Sequence, residues 1–167
     1  MNGTNLIIGN LCTLLAMGSN AFSATRKTVK GVLLTQNLSQ VIYCISAIVL
    51  SGYSAAVQNV VSIVRNFAAS RNIRSRVLQW TLAIAGVVLG VVFNNRGLVG
   101  LLPVIGNFQY TLAIFRFQDN ERALKISFLI SVASYVVFNG VIYNFVGVVS
   151  DLFVVVTTAV VLIRKRK

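Results

Sequence analysis

The sequence predicts an all-α membrane protein. Seven transmembrane helices form two parallel three-helix-bundle repeats joined by a linker helix (3+1+3), with the N-terminus outside and the C-terminus inside. Three observations lead there. Of 167 residues, 56% are apolar and 11% charged, with a mean hydropathy of +0.81; a soluble domain carries about 25% charged residues. Charge is absent from 1–25, 31–64, 77–95, 97–115 and 126–150, and about 18 apolar residues are enough to span a bilayer. The basic residues form short clusters between these runs, not a stripe along a folded face. The net charge of +12 therefore marks cytoplasmic loops, and no nucleic acid partner is expected.

The first helix covers roughly 5–24. No basic residue precedes it, and Arg26, Lys27 and Lys30 follow it. That charge order is the reverse of a cleaved signal sequence and suits a span running from outside to inside. The sequon-like Asn2-Gly3-Thr4 then lies outside and reads as chance. The run from Gly31 to Arg65 is too long for one helix and contains SGY at 51–53, so it splits into 31–50 and 54–70. The linker helix, 77–94, carries Gly86-x-x-x-Gly90, a spacing that lets helices approach closely. It either docks the linker internally or forms a homo-oligomer interface. NNRG at 94–97 separates it from the fifth helix, 97–115. The last apolar run breaks near YNFVG at 143–147, giving 126–142 and 146–163. The expected units are therefore 1–72, 73–95 and 96–167.

Charge placement tests the count. Seven spans put Arg26, Lys27, Lys30, Arg65, Arg71, Arg74, Arg76, Arg116, Arg122, Lys125 and the final RKRK inside, 14 of 15 basic residues, and leave only Arg96 outside. Removing one helix moves a cluster to the wrong face. Aromatic residues agree: Trp80, Phe115 and Phe117 fall near the inner boundary, and Tyr53, Phe93, Tyr143 and Phe145 near the outer one.

The two ends of the chain resemble each other. LIIGNLCTLLAM (6–17) aligns with PVIGNFQYTLAI (103–114), pairing Gly9 with Gly106 and Asn10 with Asn107. RKTVKGVLL (26–34) matches ERALKISFL (121–129) in charge and apolar pattern. An odd linker helix makes two three-helix units parallel, a plan known among transporters. In this layout the chain resembles the SWEET/PQ-loop superfamily, which includes PnuC-type vitamin-precursor transporters. The motifs NVVSIVRN (59–66), RGLVGLLPVIGN (96–107) and VSDLF (149–153) are more similar to the YgjV-type bacterial inner membrane family. The resemblance implies a multi-pass protein of the bacterial inner membrane. No Pro-Gln pair is present, Pro103 is the single proline and Trp80 the single tryptophan, so the sugar and vitamin substrates of those relatives do not carry over.

Polar residues inside the apolar runs are the candidate site. Asp151 is one of three acidic residues and the only one outside the polar segment that holds Asp119 and Glu121. A mid-helix carboxylate costs about 2.5–3.5 kcal/mol on insertion scales and usually faces a bundle interior or wet cavity. Two roles fit it, a protonatable coupling site and a counter-charge for a cationic group; a structural role is the alternative. Aligning SDLFVVV on QNVVSIV pairs Asp151 with Asn59 and Ser150 with Gln58. Ser62, Arg65 and Asn66 share the face of Asn59. Arg65 lies about 9 Å deeper than Asn59 by helix rise, so no direct bridge to Asp151 is expected. Near a helix end it reads as snorkelling to the cytoplasmic surface, with a functional role as the alternative. Gln36, Gln40 and Tyr43 form a stripe on the second helix, and Asn10 and Asn107 occupy matching places in helices one and five. Asn10, Asn59, Asn107, Asp151, Gln40 and Ser62 are the expected substrate-binding residues; interhelical glue is the competing role for each.

Other chemistry is thin. There is no histidine, the two cysteines (Cys12 and Cys44) sit far apart as small packing residues, and no phosphate-binding glycine loop occurs. No enzyme, metal or cofactor is expected. The expected partners are the bilayer and a small polar solute moved by alternating access; the opposing reading is a non-transporting scaffold or subunit of a membrane complex.

Overall fold

The computed structural model describes residues 2–23, 29–71, 73, 75–117 and 120–164. Among them are seven α-helices and no strand: α1 (Gly3–Ser23), α2 (Val29–Val49), α3 (Tyr53–Ser70), α4 (Arg76–Val92), α5 (Leu102–Arg116), α6 (Glu121–Val141) and α7 (Phe145–Arg164). Arg26, Lys27, Arg74, Asp119 and residues 165–167, used in the charge argument, lie outside the described residues.

Five helices begin and end within two residues of the sequence-based bounds. The other two differ for local reasons. α5 starts at Leu102 rather than 97, because Gly97 takes a left-handed φ of 57° and Asn94 folds the loop. Asn94 donates to Gly97 O at 2.7 Å and accepts from Arg96 N at 2.9 Å. A 3-10 turn, Val99–Leu101, follows, and Pro103 sits in the first turn of α5, where its missing N–H costs nothing. α6 starts at Glu121 rather than 126, because the Asn120 side chain accepts from Ala123 N at 3.0 Å and caps it. An uncharged run marks an apolar segment; caps mark a helix.

Side-chain placement is inverted relative to a water-soluble core. Ile7, Leu15, Val77, Val92, Phe153 and Ile163 are exposed, while Thr13, Ser39, Ser46, Ser54, Asn66 and Thr111 are buried. Small and polar residues between helices, with large apolar ones outside, suit helices packed in lipid. The segments Gly3–Phe22 and Arg122–Val141 are long and apolar enough to cross a membrane, and Leu34–Val49, Arg76–Val92 and Phe145–Val160 are shorter apolar helices.

α2 packs on both α1 and α3, and α6 packs on both α5 and α7. α1 meets α7 and α3 meets α5, which closes six helices into a ring; α4 packs on α3 and α5. Gly90 fixes that docking. A Cβ there would lie 2.6 Å from both Gln58 Nε2 and Val104 Cγ2, and one on Gly86 would lie 3.4 Å from Gln58 Oε1. The Gly-x-x-x-Gly stretch thus docks α4 internally.

The turns α2–α3 and α6–α7 are built alike. Ser51 and Tyr143 both have positive φ, 55° and 60°. Gly52 N donates to Ala47 O at 2.7 Å, as Asn144 N does to Asn139 O at 2.9 Å. Ser51 N donates to Ile48 O and Tyr143 N to Gly140 O, again in register. Leu50, Phe138 and Ile142, fully buried with Ala47, Ala55 and Ala56, form an apolar plug beside these two turns.

Candidate functional site

Inside the ring lies a cavity of about 190 Å³, somewhat larger than the roughly 150 Å³ cavity known to hold benzene. α3 presents Asn59, Ser62 and Arg65 to it because positions three residues apart share a helix face. α2 contributes Gln40 and Tyr43, α5 Asn107 and Tyr110, α6 Tyr135 and Asn139, and α7 Ser150 and Asp151. Five of the six expected site residues therefore come together: Gln40, Asn59, Ser62, Asn107 and Asp151. Asn10 does not. Its side chain donates to Leu6 O at 2.9 Å and Tyr143 O at 3.1 Å and accepts from Val146 N at 3.0 Å. A carboxamide so used is a cap on the first turn of α7 and does not line the cavity.

Arg65 departs most from its sequence reading. It is only 5% exposed and points into the ring, not out to a cytoplasmic surface. Helical side chains lean toward the helix N-terminus, and Arg65 reaches back to Ser62 Oγ at 3.4 Å. Its Nη1 donates across to α5, to Asn107 Oδ1 at 2.9 Å and Thr111 Oγ1 at 3.1 Å, and its guanidinium carbon lies 5.2 Å from the centre of the Tyr110 ring. The network continues: Asn107 Nδ2 donates to Gln58 Oε1 at 2.8 Å, and Gln58 Nε2 donates to Gly86 O at 2.8 Å. One chain of bonds thus joins α3, α4 and α5. Its outlying member, Arg65 Nε, is buried with no acceptor.

Asp151 sits at the other end of the cavity's polar lining. Its Oδ2 accepts from Asn139 Nδ2 at 2.8 Å. Asn139 Oδ1 accepts from Asn144 Nδ2 at 3.1 Å, and Asn144 Oδ1 accepts from Gly147 N at 3.1 Å. Tyr43 and Ser150 line the cavity with it, and Tyr135 lies within electrostatic reach of both Asp151 and Arg65. Asn59 and Gln40, by contrast, line the cavity, and their side chains make no hydrogen bond to another described residue.

Sequence reasoning missed Tyr110, Tyr135 and Asn139 as members of this lining, and it paired Gln58 with Ser150 without placing it in the network that joins α3, α4 and α5. Asn139 carried a usable signal, a carboxamide one turn before the α6–α7 break in an otherwise apolar stretch. Arg96 was the one basic residue assigned outside. Its Nε donates to Ser51 O at 3.1 Å and its Nη2 to Leu50 O at 3.1 Å, placing a cation on the carbonyl end of α2. Among the described residues no group of three His, Cys, Asp or Glu could hold a metal ion.

Comparison with the curated proteins and with the solved structures finds no match to either. A family model does match, over residues 7–167, nearly the whole chain. The chain belongs to that family, the Imp-YgjV bacterial inner membrane proteins.

Proposed function

We propose that this protein is a small secondary transporter or facilitator of the bacterial inner membrane, moving a small polar solute by alternating access between two three-helix bundles. One observation carries the reading: a polar cavity inside the ring is lined from both groups of three helices, including Arg65 and Asp151. The apolar plug of Leu50, Phe138 and Ile142 beside the two turns gives such a cavity a seal on one side. The lining reaches Asn20, late in α1, and Phe128, early in α6, which is the way out toward the opposite face.

The 3+1+3 organisation rests on matched details. The two turns share their hydrogen bonds and their positive-φ residues in register. Gly9 packs closely on Leu50 of the α2–α3 turn, and Gly106 on Ser131 of α6. The neighbouring Asn10 and Asn107 each reach the other group of three, at α7 and α3 respectively. With the basic clusters inside, the N-terminus is outside and the C-terminus inside.

The scaffold reading has its own support, since Asn107 and Gln58 are bonded helix to helix. A thermal-shift screen of small polar solutes on the purified protein separates the two. A transporter gains stability with a ligand, and Asn59→Leu abolishes that gain. A scaffold gains none from any solute. Topology is read separately by cysteine labelling of Asn2→Cys and Arg71→Cys in intact cells, with Cys12 and Cys44 replaced. Labelling of position 2 alone is expected, and equal labelling of both sinks the seven-span reading.

A further inference from the structure

We infer that the cavity takes a zwitterionic solute of amino-acid size, its carboxylate set on Arg65 and its ammonium on Asp151. The inference rests on the transport-site reading above and names its substrate class.

The first support is the state of Arg65. A guanidinium keeps its charge in proteins, and a buried charge is costly unless an opposite charge meets it. Among the described residues every hydrogen-bond partner of the Arg65 side chain is a neutral oxygen: Asn107 Oδ1, Thr111 Oγ1 and Ser62 Oγ. Its Nε has no acceptor. These neutral groups orient the fork without neutralising it, as suits an anion that comes and goes.

The second support is Asp151. Asn139 holds one oxygen, Oδ2. Among the described residues no cation bonds the carboxylate and no group donates to Oδ1. Acid and base therefore line one cavity without pairing with each other. Asp151 lies six residues into α7 and Arg65 twelve into α3, and both helices begin at the turn end. Helix rise puts their Cα atoms about 9 Å apart in depth, and Arg65 shortens the gap by reaching back to Ser62. The cavity is lined by both side chains, so a ligand bearing both charges meets the two from the space they share.

Singly charged ligands fit worse. An anion on Arg65 leaves Asp151 unmatched and adds a like charge near it; a cation on Asp151 does the same to Arg65. The volume sets the size, since about 190 Å³ holds roughly six to ten heavy atoms by comparison with benzene.

The test is calorimetric binding to the purified full-length protein in detergent. The probes are glycine, L-alanine and L-serine as zwitterions, propionate as anion, isopropylamine as cation and propionamide as neutral shape. At least one zwitterion is expected to bind tenfold or more tighter than all three others. Asp151→Asn and Arg65→Gln are each expected to weaken it tenfold or more. Arg65→Lys, which keeps the charge but not the fork, retains part of the affinity and controls for misfolding. If propionamide or a singly charged probe binds as well as the zwitterions, or Asp151→Asn binds them unchanged, the substrate class is wrong while the cavity remains a ligand site. Should none of the six probes bind, this inference is overturned, and the transport-site reading is decided by the broader solute screen above.

Discussion

Arg65 on α3 donates to Asn107 on α5 at 2.9 Å, and the same carboxamide donates to Gln58 at 2.8 Å. One side chain thus serves a buried cation and a buried amide at once. Asn107→Leu strips both of a partner in a site that water reaches poorly. The expected loss of unfolding free energy is about 2–3 kcal/mol, read as a lower thermal midpoint in detergent. An unchanged midpoint would mean that Arg65 finds another acceptor, and that the network is not what joins α3 to α5.

Asn10 and Asn59 should behave differently, although both are mid-helix asparagines. Asn10→Ala removes the cap on α7 and should cost about 1 kcal/mol without changing ligand binding directly. Asn59 is 8% exposed and its side chain bonds to no other described residue, so Asn59→Ala should alter stability by no more than about 0.5 kcal/mol while weakening ligand binding. Equal destabilisation by the two variants would favour the scaffold reading.

Gly90→Val tests the docking of α4. The added carbon meets Gln58 Nε2 and Val104 Cγ2 at 2.6 Å, and overpacking of this kind costs about 1–3 kcal/mol. Gly18, whose Cβ would meet nothing within 4 Å, is the control: Gly18→Ala should be neutral or slightly stabilising by helix propensity. If Gly90→Val and Gly18→Ala melt alike, α4 does not pack on α3 and α5 as described.

What could be read from sequence depended on whether the signal was local. The breaks at Ser51–Tyr53 and Tyr143–Gly147 were visible because turn residues interrupt apolar runs. The start of α6 was not, because Glu121 to Lys125 look like loop until the Asn120 cap is recognised. Asn59, Ser62 and Asp151 were found because polar residues are rare inside the apolar runs, and helix periodicity put the first two on one face. Arg65 was misjudged for the same reason that snorkelling is a sound habit: its position near the end of α3 says nothing of Asn107 and Thr111 waiting on α5. The plug was invisible too. Leu50, Phe138 and Ile142 look like ordinary apolar residues until two distant turns meet.

Asp151 is where charge and packing can be separated. Asn139 Nδ2 donates to its Oδ2 at 2.8 Å and passes the order on, through Asn144, to Gly147 N at the start of α7. Asp151→Asn still offers an amide oxygen to Asn139, so stability should change by less than about 1 kcal/mol. Asp151→Leu leaves the Asn139 donor without a partner and should cost about 1–3 kcal/mol. If the carboxylate is a counter-charge, Asp151→Asn loses substrate affinity at every pH tested while melting like the parent. If it couples protons instead, the same variant keeps its affinity and loses only the pH dependence of uptake. The geometry favours the first outcome, because Asp151 lines the cavity and, among the described residues, no cation bonds its carboxylate and only Asn139 donates to it. Normal uptake by Asp151→Asn at all pH values, with Asp151→Leu merely unstable, would reduce the residue to an anchor for Asn139.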